Sequence, residues 1–182
     1  MKLVLSIATA LLVVGSVAAP AATADSKAAT HTVKFTTHYT DPGTRVTGLG
    51  SCRPGPTLCE LRYGGTATFT GGLESFDDYY GYFHADPAKP MVLEGEGWDR
   101  QTGTLTGCGE GSFVMHQTEA HPTAVDPATG TFHFTLKWEI QPGSGTGDFQ
   151  GARGSGIGTG DYKPDLSNTG VYTGVLTCRT RQ

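Results

Sequence analysis

Charged residues are scarce in this chain, and no stretch of it is basic. Asp, Glu, Lys and Arg make up 16% of the 182 residues, and the formal net charge is −4 at pH 7. A protein that binds nucleic acid needs a basic stripe to neutralise phosphates, and anionic lipid surfaces attract basic segments in the same way. The composition therefore argues against nucleic acid as the main partner and gives no support for an anionic membrane surface.

Extended helical periodicity is also missing, and the one long apolar run lies at the N-terminus. Lys2 precedes the uncharged residues 3–19, and Ala-Thr-Ala follows at 22–24. A positive residue, an apolar stretch too short for a membrane span and a small-x-small site are typical of a secretory signal peptide. We therefore expect residues 1–24 to be removed, leaving residues 25–182 as a single secreted domain with no membrane attachment after cleavage.

Cysteine is rare, and all four cysteines lie after the apolar run, at Cys52, Cys59, Cys108 and Cys178. An even number in an exported protein predicts two disulfides, for which three pairings exist. The short spacing between the first two favours Cys52–Cys59, which leaves Cys108–Cys178 as the second bridge. Because neither paired Cys-x-x-Cys motifs nor Cys/His clusters at ligand spacing occur, we expect no metal site.

What the chain has in abundance is alternation with a period of two. The clearest case is the segment 131–140, TFHFTLKWEI, in which every second residue is apolar. About eight or nine such segments are separated by turn-forming residues, for example at 41–43, 99–103 and 126–130. This pattern predicts an all-β barrel or sandwich, and we favour a single, mainly antiparallel barrel because closure leaves no exposed edge strand.

A glycine-rich segment, residues 142–160, follows the clearest strand. Its glycines do not have the spacing of a dinucleotide-binding fingerprint, and the residues that follow predict a strand where that motif requires a helix. We therefore interpret residues 145–154 as a tight corner of the barrel, with Phe149 packing at the barrel end.

Two parts of the sequence resemble known families. Residues 138–156, WEIQPGSGTGDFQGARGSG, preceded by residues 111–116, are similar to a bacterial family of unknown function in the allene oxide cyclase-like barrel superfamily. The shorter run GTGDFQGARG at 145–154 also resembles a signature of plant dirigent proteins. The similarity extends over roughly residues 64–178.

This resemblance implies an eight-stranded antiparallel barrel with an interior of ligand size. Allene oxide cyclases and dirigent proteins steer the cyclisation or coupling of a reactive apolar substrate without a cofactor of their own. The resemblance therefore implies no cofactor here, a small apolar molecule as partner, and a homo-oligomer, since related barrels often form dimers or trimers.

Aromatic residues in two neighbouring segments are the candidate ligand-binding residues. Tyr80, Tyr82 and His84 share one face of a predicted strand, where they form either an aromatic pocket with a polar end or ordinary packing. Trp98 follows Glu94 and Glu96 of the next predicted strand. We expect these four side chains to line the interior of the barrel.

Three polar residues are weak candidates for catalysis. Glu94 and Glu96 lie on one strand face, where two close carboxylates would shift each other's pKa and form an acid/base pair, or would simply face solvent. His116 is suited to proton transfer near neutral pH, although a single histidine on a strand is more often exposed or hydrogen-bonded.

Three functions are compatible with this sequence. The first is a secreted barrel that binds a small apolar or aromatic molecule in its lumen. The second is a cofactor-free cyclase or isomerase that uses the same lumen. The third is an extracellular structural or protein-interaction module, for which side chains would fill the barrel.

Overall fold

The computed structural model describes residues 29–49, 59–86 and 89–179. Residues 1–24 and Cys52 lie outside the described residues. The signal peptide and the disulfide of Cys52 therefore remain predictions. In the described part of the chain, regular structure is almost entirely strand, and one 3-10 turn spans Gly147–Phe149. No helix in this part has the length and apolar content needed to cross a bilayer.

Nine strands follow one another along the chain. Their bounds are β1 Thr30–Asp41, β2 Arg45–Leu49, β3 Cys59–Gly71, β4 Leu73–Asp86, β5 Lys89–Leu105, β6 Gly109–Val125, β7 Phe132–Ile140, β8 Arg153–Tyr162 and β9 Asn168–Arg179. Each pairs antiparallel with its neighbours in the order β1-β9-β8-β7-β6-β5-β4-β3-β2. The alternating pattern of residues 131–140 becomes β7, as predicted.

Pairing between β1 and β3 closes the sheet into an eight-stranded antiparallel barrel. Thr37–Thr40 of β1 pair with the end of β3, and β2 pairs with the preceding part of β3. β1 and β2 therefore occupy one position in the ring, separated by the predicted turn at residues 41–43. This closure confirms the predicted all-β, single antiparallel barrel, because no edge of the eight-stranded ring is left unpaired.

One end of the barrel is closed by tightly packed apolar side chains. Phe149 is fully buried and meets the ring of Phe113 edge to face, with 4.9 Å between ring centroids. The side chains of Leu73, Leu105 and Met115 are also inaccessible. Residues 141–152 thus form a corner in which Phe149 fills the barrel end; the corner was predicted at residues 145–154, and Arg153 and Gly154 belong to β8 instead.

The corner is tied to the start of β6 by its own polar groups. The Asp148 carboxylate accepts a hydrogen bond from the Glu110 backbone N–H at 2.9 Å, and the Thr146 N–H donates to the Ser112 carbonyl at 2.8 Å. Gly147 and Gly151 have φ values of +59° and +75°, a backbone conformation that glycine adopts without the strain of a side chain. Glycine at these two positions therefore allows the loop to turn back onto β6.

The later glycines of the segment 142–160 belong to β8 and have a different purpose. Trp138 on β7 is paired in register with Gly156 on β8, which is paired with Gly174 on β9. A Cβ atom at Gly156 would lie 2.5 Å from Cζ2 of Trp138, and one at Gly174 would lie 2.8 Å from its Cη2. The buried indole therefore lies across two neighbouring strands, and only glycine leaves room for it.

Gly156→Ala is therefore expected to lower the free energy of unfolding by about 1 to 3 kcal/mol, the usual cost of overpacking a core. Urea denaturation followed by tryptophan fluorescence measures this change. The matched control is Ser155→Ala, since Ser155 is the preceding residue on the same strand and is exposed. Equal stability of the two variants would contradict the close packing of Trp138 on β8.

The predicted Cys108–Cys178 disulfide is present. It links the turn between β5 and β6 to the end of β9, across a sequence separation of 70 residues, and both cysteines are buried. The side chain of Cys59 and all of Cys52 lie outside the described side chains, so the Cys52–Cys59 bridge stays a prediction.

One predicted turn is wrong. Residues 99–103 lie inside β5, which continues from Lys89 to Leu105 and pairs with β4 and β6 along this stretch. Asp99 and Gln101 alternate with exposed neighbours and are buried inside the barrel. Polar residues are typical of turns, and buried polar residues disrupt the apolar alternation by which a strand is recognised. The sequence therefore predicts a turn where the structure has a continuous strand.

Candidate functional site

A cavity of about 270 Å³ occupies the half of the barrel that Phe149 does not fill. Its mouth lies beside the turn between β1 and β2, where the Thr44 N–H donates to the Leu166 carbonyl at 3.0 Å. His121 and Leu166 line the cavity and are also exposed, so the cavity is reached from this end of the barrel. The structure therefore combines one packed end with one accessible end.

Eight of the twenty residues that line the cavity are aromatic: Tyr39, Tyr63, Phe69, Tyr79, Phe132, Phe134, Tyr162 and Tyr172. Three of them form a compact group, in which the ring of Tyr172 meets those of Tyr39 and Phe69 edge to face at centroid distances of 5.4 and 5.3 Å. Such a wall offers both flat ring faces and ring edges to a bound molecule.

Asp41 organises the mouth through a complete set of hydrogen bonds. One carboxylate oxygen accepts from the Gly43 N–H at 2.7 Å. The other accepts from the Asn168 amide at 2.6 Å, from the Thr44 hydroxyl at 3.1 Å and from the Tyr79 hydroxyl. Because donors surround this carboxyl group, both of its buried oxygens have hydrogen-bond partners within the protein.

Deeper in the cavity lie two further carboxyl groups, which are close enough for the charge of one to act on the other. Asp77 and Asp99 are each 2% exposed and lie on the adjacent strands β4 and β5. Burial raises the pKa of Asp77 well above its usual range, and the nearby Asp99 charge adds to this rise. Burial also raises the pKa of Asp99 to about 7, against hydrogen bonds from Gln117 and Tyr172 that lower it.

Some polar atoms of the cavity have no partner. The Oδ1 atom of Asp77 and the hydroxyl of Tyr39 are buried and make no hydrogen bond within the described part of the chain. Both residues line the cavity. Since a buried polar group without a partner costs free energy, these two atoms are the natural contacts for a polar group of a bound molecule.

The raised pKa of Asp99 predicts that the protein becomes less stable as the pH rises. Between about pH 4 and about pH 7 the folded state keeps a proton that the unfolded state has released, so stability falls by about 1.4 kcal/mol per pH unit for this group. Asp99→Asn should reduce this slope in urea unfolding measured across the range. Asp78→Asn is the control, because Asp78 is an exposed aspartate on the neighbouring strand β4, and this variant should keep the slope. A slope unaffected by Asp99→Asn would contradict the prediction.

Three of the four predicted ligand-binding residues lie on the outside of the barrel. Tyr80 is 62% exposed, and its ring stacks on that of Trp98 at 5.4 Å between centroids. Tyr82 also contacts Trp98, at 6.1 Å. The expectation that Tyr80, Tyr82 and Trp98 line the lumen is therefore wrong, whereas the side chain of His84 is outside those described and its role stays a prediction.

Two of the three candidate catalytic residues, Glu96 and His116, lie on the same outer face. The ring of His116 stacks on Trp98 at 5.0 Å, and its Nε2 lies 3.4 Å from Oε2 of Glu96. Nδ1 of His116 lies 3.9 Å from Oε1 of Glu139. These groups do converge, but on the surface and away from the cavity. Glu94 pairs with His84 in register, and its side chain is outside those described.

Glycine explains why the faces of β4 and β5 were assigned the wrong way round. Gly81 and Gly97 face inwards, and a Cβ atom at Gly81 would lie 2.5 Å from Cζ of Tyr63. The interior of this region is thus occupied by a tyrosine from β3 that crosses two glycines. With glycine and aspartate inside, the large apolar residues Phe76 and Tyr80 are left outside, which reverses the usual rule.

One group of potential metal ligands occurs among the described residues, formed by His31, Cys108 and Cys178. The two sulfur atoms are joined in the disulfide, and Nε2 of His31 lies 2.6 Å from the carbonyl of Gly107. In this oxidised state the thiolates that a metal ion needs are not available.

The fold and the cavity define a closed antiparallel β-barrel with one accessible, aromatic-lined end. No protein-family model and no curated protein matches the chain. Among solved structures, it is similar to the crystal structure of a protein of unknown function from the DUF3224 family, from Shewanella oneidensis MR-1. The TM-score is 0.56 and the sequence identity 18%, over 84% of this chain and 100% of the other. At this identity the likeness shows a shared fold.

Proposed function

We propose that this protein is an exported barrel that binds one small apolar or aromatic molecule in its cavity. The observation that carries the proposal is the cavity of about 270 Å³, to whose wall eight aromatic residues contribute. Eight-stranded barrels are just wide enough to hold a single small ligand, and ligand pockets are typically apolar with a few placed polar groups. The cavity has both properties.

Export is supported by the signal-like N-terminus and by the disulfide. Disulfides persist in oxidising compartments and are rare where glutathione keeps thiols reduced. We also propose, from the resemblance of residues 138–156, that the barrel is of the allene oxide cyclase-like type. The neighbouring DUF3224 structure supports the barrel and is itself of unknown function.

The test uses a neutral aromatic probe and a variant in which the cavity is filled. Isothermal titration calorimetry should detect binding of tryptophol to the mature protein, and Ala67→Leu should weaken it about tenfold or more, because Ala67 is buried in the cavity wall. Thr68→Leu is the control, since Thr68 is exposed on the outer face of the same strand. If all three proteins bind equally, or none binds, the proposal fails.

Native mass spectrometry of protein purified from its secretion medium then identifies the natural ligand class. The expected spectrum contains the mature chain with one additional small molecule, which Ala67→Leu removes. A wild-type spectrum that matches the bare chain in repeated preparations would count against a tightly held ligand.

A cofactor-free cyclase or isomerase is the second candidate, and Asp77 and Asp99 are the observation that favours it. Burial raises the pKa of Asp77 well above its usual range and that of Asp99 to about 7, so these carboxyl groups can hold a proton and donate it to a bound substrate. Incubating the released ligand with fresh protein distinguishes the two functions. A carrier returns the molecule unchanged, whereas an isomerase changes its structure at constant mass.

The third hypothesis, a structural or protein-interaction module, assumes a barrel filled by side chains. In the described residues, side chains fill the end at Phe149, and the other half contains the cavity.

A further inference from the structure

The polar side chains inside the cavity are strongly biased towards one sign of charge. Asp41, Asp77 and Asp99 all line it, and no Lys or Arg is among the described lining residues. Asp41 accepts hydrogen bonds at both of its oxygens from groups of the protein itself. Asp77 and Asp99 accept fewer hydrogen bonds than Asp41 and, like it, have no Lys or Arg beside them among the described lining residues.

Asp77 and Asp99 differ in the hydrogen bonds that their carboxyl oxygens accept. Oδ2 of Asp99 accepts hydrogen bonds from the Gln117 amide and, at 3.5 Å, from the Tyr172 hydroxyl. Oδ1 of Asp77, in contrast, is buried in the cavity wall without a hydrogen-bond donor in the described residues. Asp77 is therefore the carboxyl group best placed to receive a donor from a ligand.

The surroundings of these carboxyl groups are suited to a cation. Tyr39, Phe69 and Tyr172 form the neighbouring aromatic group, and ring faces attract ammonium groups by their quadrupole. An ammonium ion transferred from water into such a cavity loses hydration, and only a close carboxylate together with hydrogen bonds offsets that cost. The cavity contains both the carboxylates and the rings.

We propose that the ligand is a small aromatic or apolar molecule with one protonated amine, whose ammonium group binds Asp77 and Asp99 while its body packs on the aromatic wall. This inference rests on the proposed function, since it names the class of ligand for the same cavity.

Binding of such a cation releases protons. Near pH 6 burial keeps the carboxyl groups protonated, whereas an ammonium ion favours the carboxylate form, so complex formation sends up to one proton per carboxyl group into the buffer. The other titratable groups around the two carboxyl groups are Tyr39 and Asp41 on β1, Tyr63 on β3, Asp78 and Tyr79 on β4, His121 on β6, Tyr162 on β8 and Tyr172 on β9. Burial raises the pKa of the five tyrosines further above neutral pH, so they stay uncharged there.

Three probes that share an indole ring test the charge preference. Tryptamine is a cation, tryptophol is neutral and indole-3-acetate is an anion, so differences in affinity report the charged group alone. Calorimetry with the mature wild-type protein should show tryptamine binding about tenfold more tightly than tryptophol, the size expected for a charge-assisted hydrogen bond. Indole-3-acetate should bind most weakly.

Asp77→Asn should abolish the preference for tryptamine while tryptophol still binds. Asp78→Asn is the matched control because it removes one negative charge from the next residue, which faces solvent. Circular dichroism of both variants checks that they are folded, and Asp99→Asn is measured in the same way if Asp77→Asn does not fold. Titrations near pH 6 in two buffers of different ionisation enthalpy should reveal proton release for tryptamine and none for tryptophol.

The outcomes separate the two proposals. If tryptophol binds but tryptamine binds no better, or if Asp77→Asn and Asp99→Asn keep the preference, the amine inference is overturned and the binding function stands. If no indole probe binds to the wild type and Ala67→Leu behaves like it, the binding function itself fails. Tight tryptamine binding that disappears in Asp77→Asn supports both.

Discussion

Replacing Cys108 and Cys178 together by serine is expected to lower the free energy of unfolding by about 4 kcal/mol. The bridge closes a loop across 70 residues and joins the β5–β6 turn to the last strand. Without it the unfolded chain gains conformational freedom, and the cost of closing so long a loop is paid during folding. Equilibrium urea denaturation of the double variant, followed by circular dichroism, measures the difference.

The predicted Cys52–Cys59 bridge provides the matched control. Cys52→Ser with Cys59→Ser removes a bridge that closes a much shorter loop, so the chain-entropy argument gives a smaller loss, about 2 kcal/mol. Non-reducing peptide mapping establishes which cysteines are joined in each protein. An equal loss in the two double variants would show that loop length does not determine the stabilisation, and a mapped Cys52–Cys178 bridge would contradict the pairing.

Phe149→Ala is expected to cost about 3 to 5 kcal/mol of unfolding free energy. The side chain is completely buried at the closed end of the barrel and packs edge to face on Phe113. Alanine removes this contact and leaves a cavity, because the hydrogen bonds of Asp148 and Thr146 hold the corner in place on β6 and prevent it from collapsing. Thermal and urea unfolding report the loss.

Phe76→Ala is the control for this prediction. Phe76 is 55% exposed on the outer face of β4, so its truncation should change stability by less than about 0.5 kcal/mol. Phe149→Leu, which keeps most of the buried volume, should recover a large part of the loss. Similar effects of Phe149→Ala and Phe76→Ala would rule out the closed end as a major source of stability.

Much of the architecture was predictable because local patterns determine it. The alternation in residues 131–140 predicted β7, and the glycine-rich run predicted a corner because its spacing lacks the features of a phosphate-binding loop. The disulfide could be assigned from the number and spacing of the cysteines. These inferences need only neighbouring residues or simple counting.

The candidate site was predicted less well, and for a physical reason. In the sequence FDDYYGYF of β4, aromatic residues occupy both alternating sets, so hydrophobicity alone does not assign the inner face. The sequence reading placed Tyr80 and Tyr82 inside, whereas the structure places Asp77 and Tyr79 there. Asp99 was lost in a wrongly predicted turn.

By itself, the sequence determined an all-β chain with a glycine corner, because periodicity and turn residues are local properties, and the number and spacing of the cysteines favoured the Cys108–Cys178 bridge. Only the tertiary structure decided which face of β4 and β5 lines the barrel. That choice depends on Tyr63 of β3 lying across Gly81 and Gly97, a contact between three neighbouring strands that the alternation within any one strand does not show. The inward face of β4 and β5 carries Asp77 and Asp99, which are buried beside aromatic rings and form part of the candidate site.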